Sequence, residues 1–263
     1  MNRFDQPVSS YMTAPVVDVS PDVELSVAEE RMREHSVSSL AVCAADGRLL
    51  GMISRTDLVR VGRLRAALAG GDRLLTLPRK RVRERMTPTV VIVERDASMR
   101  EAATRMVSAH VHRLFIVDGG RPTGVLSVAD VMRAIVDEGI AAPLSSCMSS
   151  PVLTVQASDS VGVALDRLVE AHVHGLVVTE GNWPIGIFTQ VEALAAGKLD
   201  PAHPVEEVMS CAMLCLPVRT PLRRAAELAL ETNAQRILGV AAREMRGIAT
   251  GLDLARIAAG VPR

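Results

Sequence analysis

The sequence predicts an α/β fold made of four copies of one strand–helix–strand–strand–helix (βαββα) unit, paired into two halves. Three observations predict it. A Met followed by Ser or Thr recurs at Met12-Thr13, Met86-Thr87, Met148-Ser149 and Met209-Ser210. Thirteen positions after each Met stands an apolar residue (Leu25, Met99, Val161, Leu222), and three further on an Ala (Ala28, Ala102, Ala164, Ala225). A Gly lies 39, 38, 38 and 38 residues after the Met, at Gly51, Gly124, Gly186 and Gly247. Self-similarity in fixed register marks a repeat architecture, because chance does not hold so many positions together.

Each element follows from a local pattern. Four residues before each Met is an apolar position (Val8, Val82, Leu144, Val205). Short β-rich runs follow the Met: Val16 to Val19, Val90 to Val93, Val152 to Val155 and Met213 to Leu216. The i, i+3 apolar–Ala spacing, continued by Met32, Met106 and Leu168, predicts a helix with one buried face. The second and third strands are sharpest at Leu114 to Val117 and Gly124 to Leu126, with Asp118-Gly119-Gly120 between them as a hairpin signal. A Ser/Thr-x-x-acid then opens the second helix: Ser54 to Asp57, Ser127 to Asp130, Thr189 to Glu192 and Thr250 to Asp253. A helix in the first crossover predicts parallel first and second strands, and the hairpin makes the third antiparallel. Three strands cannot bury one unit's apolar face, so units must pair. The Met-to-Met periods of 74, 62 and 61 place a single insertion near 62–81. The expected boundaries are 6–61, 82–140, 141–199 and 200–260 for the units. Gly70-Gly71 and Pro78 would break the insertion into a short helix and a turn.

Bulk properties narrow the function. Thirty Lys plus Arg against 30 Asp plus Glu argue against general affinity for nucleic acid or membrane surfaces. Aromatics at 2% leave few stacking platforms for single strands. No apolar run approaches the ~20 residues of a membrane helix, and the start has no signal-like apolar region. Cys43, Cys147, Cys211 and Cys215 are sparse and unpatterned, which predicts free buried thiols and a cytoplasmic protein. Neither a P-loop, a G-x-G-x-x-G after a strand, a G-x-S-x-G nor an H-E-x-x-H is present. The four units account for the chain, so no catalytic domain is expected.

The apolar-x-x-x-Met-Thr/Ser lead, the D-x-x-apolar-x-x-Ala helix (Asp96 to Ala102) and the Gly-apolar-x-Ser/Thr-x-x-Asp close of each unit resemble the CBS domain, over about residues 6 to 260. Two CBS repeats make a Bateman module with pseudo-twofold symmetry. Four in one chain look like the γ subunit of AMP-activated protein kinase and stand-alone prokaryotic four-repeat proteins. The resemblance implies adenine-nucleotide ligands (AMP, ADP or ATP) in clefts between paired repeats, with the Asp of one repeat holding ribose and the first strand of its partner lying against the base.

Several residues carry that chemistry. As a minimum, Ser54, Ser127 and Thr250 cap helices and the acids three residues on suit the helix dipole. A carboxylate at a cleft edge also accepts two bonds from vicinal ribose hydroxyls, and a helix N-terminus suits phosphate. Glu192 departs from the pattern, its longer side chain displacing the carboxylate. Pairs entering the second strand are Ser38-Ser39, His112-Arg113, His174-Gly175 and Gln235-Arg236. Arg113 and Arg236 suit phosphate bidentately, though a strand-end Arg is often simply solvated. His110 with His112, and His172 with His174, share faces of extended segments, but no acid or Cys completes a metal set. From Arg55 to Arg85 ten Lys or Arg against three acids leave +7, read as a solvated face, a polyphosphate lining or a contact for an acidic partner.

The expected function is therefore a non-catalytic regulator that binds adenine nucleotide and controls an unidentified partner protein allosterically. The Asp57 cleft, with Ser54, Arg55, Met86, Val91, His112 and Arg113, should hold phosphate most tightly. The Asp130 cleft faces Ser127, Met12, Val17 and Ser38, offers no such cation and should take at most a nucleoside or one phosphate. The Asp253 cleft, with Thr250, meets His174-Gly175, and the Glu192 cleft meets Gln235-Arg236. The alternatives are a sensor of S-adenosylmethionine or another adenosyl ligand, and a ligand-free structural or oligomerisation module. A homodimer is expected slightly over a monomer, through Ala66 to Leu68 and Leu74 to Leu77.

Overall fold

The computed structural model describes residues 3–61, 63–65, 74–171, 173, 175–189, 191–193 and 202–261. Four three-stranded sheets follow one another: β1 (Asp18–Val19), β2 (Ser39–Cys43) and β3 (Leu49–Ser54); β6 (Ile92–Val93), β7 (Arg113–Asp118) and β8 (Arg121–Ser127); β9 (Thr154–Gln156), β10 (Gly175–Glu180) and β11 (Trp183–Thr189); β12 (Leu214–Pro217), β13 (Arg236–Ala241) and β14 (Glu244–Thr250). In each, the first two strands are parallel and the last two antiparallel, as the crossover and hairpin require. The first strands begin two residues or so later than the apolar runs.

The crossover helices are α1 (Leu25–Glu34), α3 (Met99–Ala109), α5 (Val161–Glu170) and α6 (Leu222–Thr232). Their first residues and the Ala three positions on are all at most 3% exposed, so the i, i+3 pattern is the face that covers the sheet. Ser98 and Ser160 cap α3 and α5 by accepting from Glu101 N and Val163 N at 3.1 and 3.3 Å. The closing helices are α2 (Arg55–Val61), α4 (Val128–Asp137) and α7 (Gly251–Ala259), with helical residues again at 191–193.

The Met-containing lead of each repeat belongs to the fold of its partner. Val8 N bonds Ala97 O at 2.8 Å, and Thr13 and Val125 exchange bonds of 2.9 and 3.0 Å. Reciprocally, Val82 N bonds Val23 O at 2.9 Å, and Thr87 and Met52 exchange bonds of 2.8 and 2.9 Å. The second half repeats this, with Ser149 on Ile248 and Ser210 on Ile187. Val8 is accordingly buried in the repeat-2 core, Val82 in that of repeat 1, Leu144 in that of repeat 4 and Val205 in that of repeat 3. Between the first two sheets, Ala41, Cys43 and Phe115 make a separate small core with Val16, Met52, Val90 and Val125 around it.

The halves join through repeats 2 and 4. Helix α3 packs on α7, and α4 on α6 and α7. Ala103, Ala134, Ala226, Ala255 and Ala258 are at most 1% exposed there, and one continuous core runs through both repeats. Small side chains let helix axes approach closely, so dispersion contacts accumulate along the seam. Repeats 1 and 3 keep cores of their own.

Two expectations are corrected. The insertion contains two antiparallel strands, β4 (Arg63–Arg65) and β5 (Leu74–Thr76), with Leu64 opposite Leu75, where a short helix was predicted. Paired strands satisfy each other's backbone groups, whereas an isolated helix much below ~12 residues is marginal in water. Ala66 to Leu68, proposed as a dimer contact, and Gly70-Gly71 lie outside the described residues. All four cysteines are free, but only Cys43 and Cys147 are buried; Cys211 follows the repeat-4 lead, and Cys215 points outward from β12.

Candidate functional site

The walls of each cleft come from two repeats because β-pairing and lead exchange bring them together. In the first half, Ser39 lies opposite Ser54 and Arg113 opposite Ser127, so each strand-end pair meets the helix opening of its own repeat. Arg55 N bonds Ser38 O at 2.9 Å, and Val128 N bonds His112 O at 3.1 Å, tying each helix N-terminus to the adjoining strand.

At the repeat-1 helix opening, Asp57 Oδ2 accepts from Ser54 N at 2.9 Å and Ser54 Oγ at 2.5 Å. Ser127 donates to Asp130 Oδ2 through N at 2.7 Å and Oγ at 2.8 Å, and Thr250 to Asp253 Oδ2 at 2.9 and 2.7 Å. These are capping boxes. Glu192, expected to be displaced, makes the same cap: its Oε2 accepts from Thr189 N at 2.9 Å and from the Thr189 hydroxyl. One extra methylene is absorbed by side-chain torsion, so the departure costs nothing in capping.

The acids differ in their surroundings. Asp57 is half-buried, whereas Asp130 is 2% exposed and Asp253 8%. Burial pushes the Asp130 carboxyl above the ordinary carboxylate range, against the opposing pull of Ser127 and Arg133. The Arg133 guanidinium pairs with Asp130 Oδ1, and Arg256 Nη1 stands 3.6 Å from Asp253 Oδ1. Sequence reasoning missed these partners, although Asp-x-x-Arg occurs at Asp57-Arg60, Asp130-Arg133 and Asp253-Arg256.

Arg113 is held where both clefts of the half meet. Its Nη2 donates to Ser38 Oγ at 2.5 Å. Burial lowers its pKa most, the Arg55 charge lowers it further, and Asp130 works in the opposite direction. The expectation that the Asp130 cleft offers no such cation is corrected: Arg133 sits on its carboxylate, and the Arg113 side chain is long enough to cross to Ser38. Arg236 repeats the theme in the second half, with burial lowering its pKa and Glu192 opposing. An added Cβ on Gly175 would stand 3.4 Å from Arg236 Nη2.

Met86 packs on the core of repeat 1 and Met12 on that of repeat 2, which puts Met86 in the repeat of Asp57 and Met12 in the repeat of Asp130. Val17 and Val91 pack toward the cores of their own repeats, and their neighbours Val16 and Val90 face the junction between sheets. His112 is exposed. His172, His174 and Gln190 lie outside the described residues. Among the described residues no cluster of three or more His, Cys, Asp or Glu could hold a metal ion, and no helix is long and apolar enough to cross a membrane.

Paired βαββα repeats that exchange their leads around such clefts define the class, and comparison gives the family. The CBS domain matches at residues 8–63, 82–137 and 144–198; the chain belongs to the CBS-domain family. The fourth repeat, outside those three matches, has the same strand order and capping box. An uncharacterized 33.4 kDa protein of Thermofilum pendens is 28% identical over 178 residues, 63% of this chain and 56% of its own. Protein MJ1404 of Methanocaldococcus jannaschii is 25% identical over 99% of this chain and 63% of its own. The chain thus spans less than two thirds of these relatives. Among solved structures, protein MJ1225 of Methanocaldococcus jannaschii, described as a candidate archaeal homologue of g-AMPK, superposes with a TM-score of 0.74 at 18% identity, covering 95% of this chain and 99% of its own. An uncharacterized conserved protein of Pyrococcus horikoshii gives 0.68 at 18% identity, covering 96% and 99%. Proteins of this family are generally regulatory rather than catalytic.

Proposed function

We propose that this chain is a non-catalytic regulator that binds an adenine nucleotide between paired repeats, most tightly in the Asp57 cleft, and controls a partner protein through the resulting change in packing. One observation carries the reading: Arg113 Nη2 crosses from repeat 2 to Ser38 Oγ at 2.5 Å, at the residue whose carbonyl accepts from Arg55 N at 2.9 Å, so cationic residues of both repeats meet beside a carboxylate fixed by Ser54. Like charges held together in a half-buried cleft are relieved by an anion, and guanidinium matches phosphate bidentately. Asp57, less buried than Asp130, is the better placed to take ribose hydroxyls. The Arg236 cleft, where Glu192 offsets the cation, suits phosphate less.

Calorimetry with ATP and AMP tests this on Asp57→Ala and Arg113→Ala, with Glu192→Ala for comparison. Loss of one charge-assisted contact should weaken binding by about 1.5–3 kcal/mol, roughly ten- to a hundredfold. Glu192→Ala should leave the tight site unchanged. Equal affinity in parent, Asp57→Ala and Arg113→Ala, all folded, refutes the assignment.

A further inference from the structure

The Asp130 carboxylate is engaged on both oxygens, Oδ2 by Ser127 and Oδ1 by Arg133. Only 3% of its side chain is exposed, so a sugar hydroxyl reaches Oδ1 only where the guanidinium now stands. Arg133 itself is not enclosed; 55% of its side chain is exposed. It lines a cavity of about 570 Å³ between the two halves, walled also by Tyr11, Asp137, Glu227, Leu230 and Glu231. Asp137 lies one turn along α4 from Arg133, and Glu227 and Glu231 are one turn apart on α6.

The acids around this cavity differ in what already holds them. Glu227 accepts from Arg223 Nε at 2.9 Å and Arg224 Nη1 at 3.2 Å, which bring its carboxyl below the usual range. Asp137 accepts from the Tyr11 hydroxyl at 3.0 Å, and burial and that bond hold Tyr11 up at about 12, so it remains a donor. The cavity thus gathers carboxylates from both halves beside Arg133, whose guanidinium is tied to the cleft on its other side.

We propose that Arg133 couples occupancy of the Asp130 cleft to the packing of the two halves: a vicinal diol on Asp130 displaces the guanidinium, which turns to Glu231 and Asp137 and draws α4 onto α6. This rests on the nucleotide reading for the identity of the ligand but not for the coupling. The shift needs no new backbone conformation, since Arg133 already borders both partners. A ligand without a diol leaves Arg133 on Asp130 and the halves as they are, because a ligand shifts an equilibrium only by its differential contacts with the two states.

Amide hydrogen exchange of α6 (Leu222–Thr232) in the full chain tests the coupling. Asp130→Asn without any nucleotide keeps the cap on Ser127 but releases the guanidinium. It should slow α6 exchange at least fivefold, the lower bound of usual coupling between sites. Adding Glu231→Gln to Asp130→Asn should abolish the slowing. AMP should slow α6 exchange in the parent and fail to do so in Arg133→Gln at an AMP concentration that calorimetry shows to saturate the variant. An unchanged α6 in folded Asp130→Asn, or AMP protection surviving in Arg133→Gln, overturns the coupling. Protection in Asp130→Asn with no AMP response in the parent supports the coupling and refutes AMP as the ligand of the Asp130 cleft, while the Asp57 assignment stands or falls on the calorimetry above.

Discussion

The turn between β13 and β14 holds two side-chain-bearing residues in left-handed backbone, Ala242 at φ 51° and Arg243 at φ 62°. The corresponding turn between β7 and β8 uses Gly119 at 55° and Gly120 at 82°. Both are two-residue hairpin loops, closed by Ala241 opposite Glu244 and Asp118 opposite Arg121. Loops of this type I′ geometry hold positive φ at both positions, a twist that matches the strands they join. A Cβ there costs about 1–2 kcal/mol, and glycine returns part of that gain through the greater freedom of the unfolded chain. Arg243→Gly should therefore stabilise the protein by about 0.5–1 kcal/mol, visible as a rise in Tm of roughly 1–4 °C by scanning calorimetry. A fall in Tm would mean that the arginine side chain contributes more on the surface than its backbone conformation costs.

At the scale of elements, the exchanged leads explain why a Gly stands on the third strand of every repeat. A Cβ on Gly51 would stand 2.5 Å from Thr87 O, a backbone atom of the lead crossing from repeat 2. On Gly124 it would meet Met12 Sδ at 2.4 Å, near the end of a flexible side chain. The two sites are equivalent in sequence but not in the freedom of what they touch. Gly51→Ala should displace the Thr87–Met52 bridge and cost about 2–3 kcal/mol, whereas Gly124→Ala should cost less than about 1 kcal/mol as Met12 changes rotamer. Urea denaturation of both variants measures the difference, and equal costs would contradict the contact assignment.

The same elements show what a single chain reveals. The spacing of Met, Ala and Gly disclosed the repeat, its strand order and its buried helix faces, because those depend on local period. The Met-to-Gly distance did not disclose that Met12, Met148 and Met209 meet the glycine of the other repeat, or that Thr87 does so at Gly51, since a spacing within one copy is silent about which copy it touches. At the clefts, Ser54 with Asp57 and the strand-end Arg113 were legible from residue type and position. The reach of Arg113 to Ser38 was not, because a long side chain crosses between repeats in a direction that sequence period does not encode; the Arg133–Asp130 pair, three residues apart on one helix, was within reach of the sequence and was overlooked. The hairpin in the insertion was hidden for a related reason: two three-residue strands are too short for a periodic signal.

For the whole molecule, the decisive feature is that only one pair of repeats joins the halves among the described residues. Position five of each crossover helix shows why. It is Ala103 in α3 and Ala226 in α6, both fully buried, but Glu29 in α1, which pairs with Arg33 at 3.7 Å on the surface. Repeat 1 therefore presents charge where repeats 2 and 4 present small apolar surface, and charge is costly to bury without full compensation. Leu165 holds this position in α5, half-buried, with Val169 beyond it 72% exposed. The seam between α3, α4, α6 and α7 then sets how far unfolding of one half is felt by the other. Ala226→Glu would place an unpaired carboxylate in that seam, and leaving a charge uncompensated in a core costs about 3–5 kcal/mol. Each half keeps its own exchanged leads and its own sheets, so the variant should lose the connection before it loses either half. The expected result is a single calorimetric transition in the parent and two in Ala226→Glu, with α3 amides exchanging faster although that helix belongs to the other half. A single transition merely lowered in temperature would show instead that repeats 3 and 4 cannot stay folded without the seam.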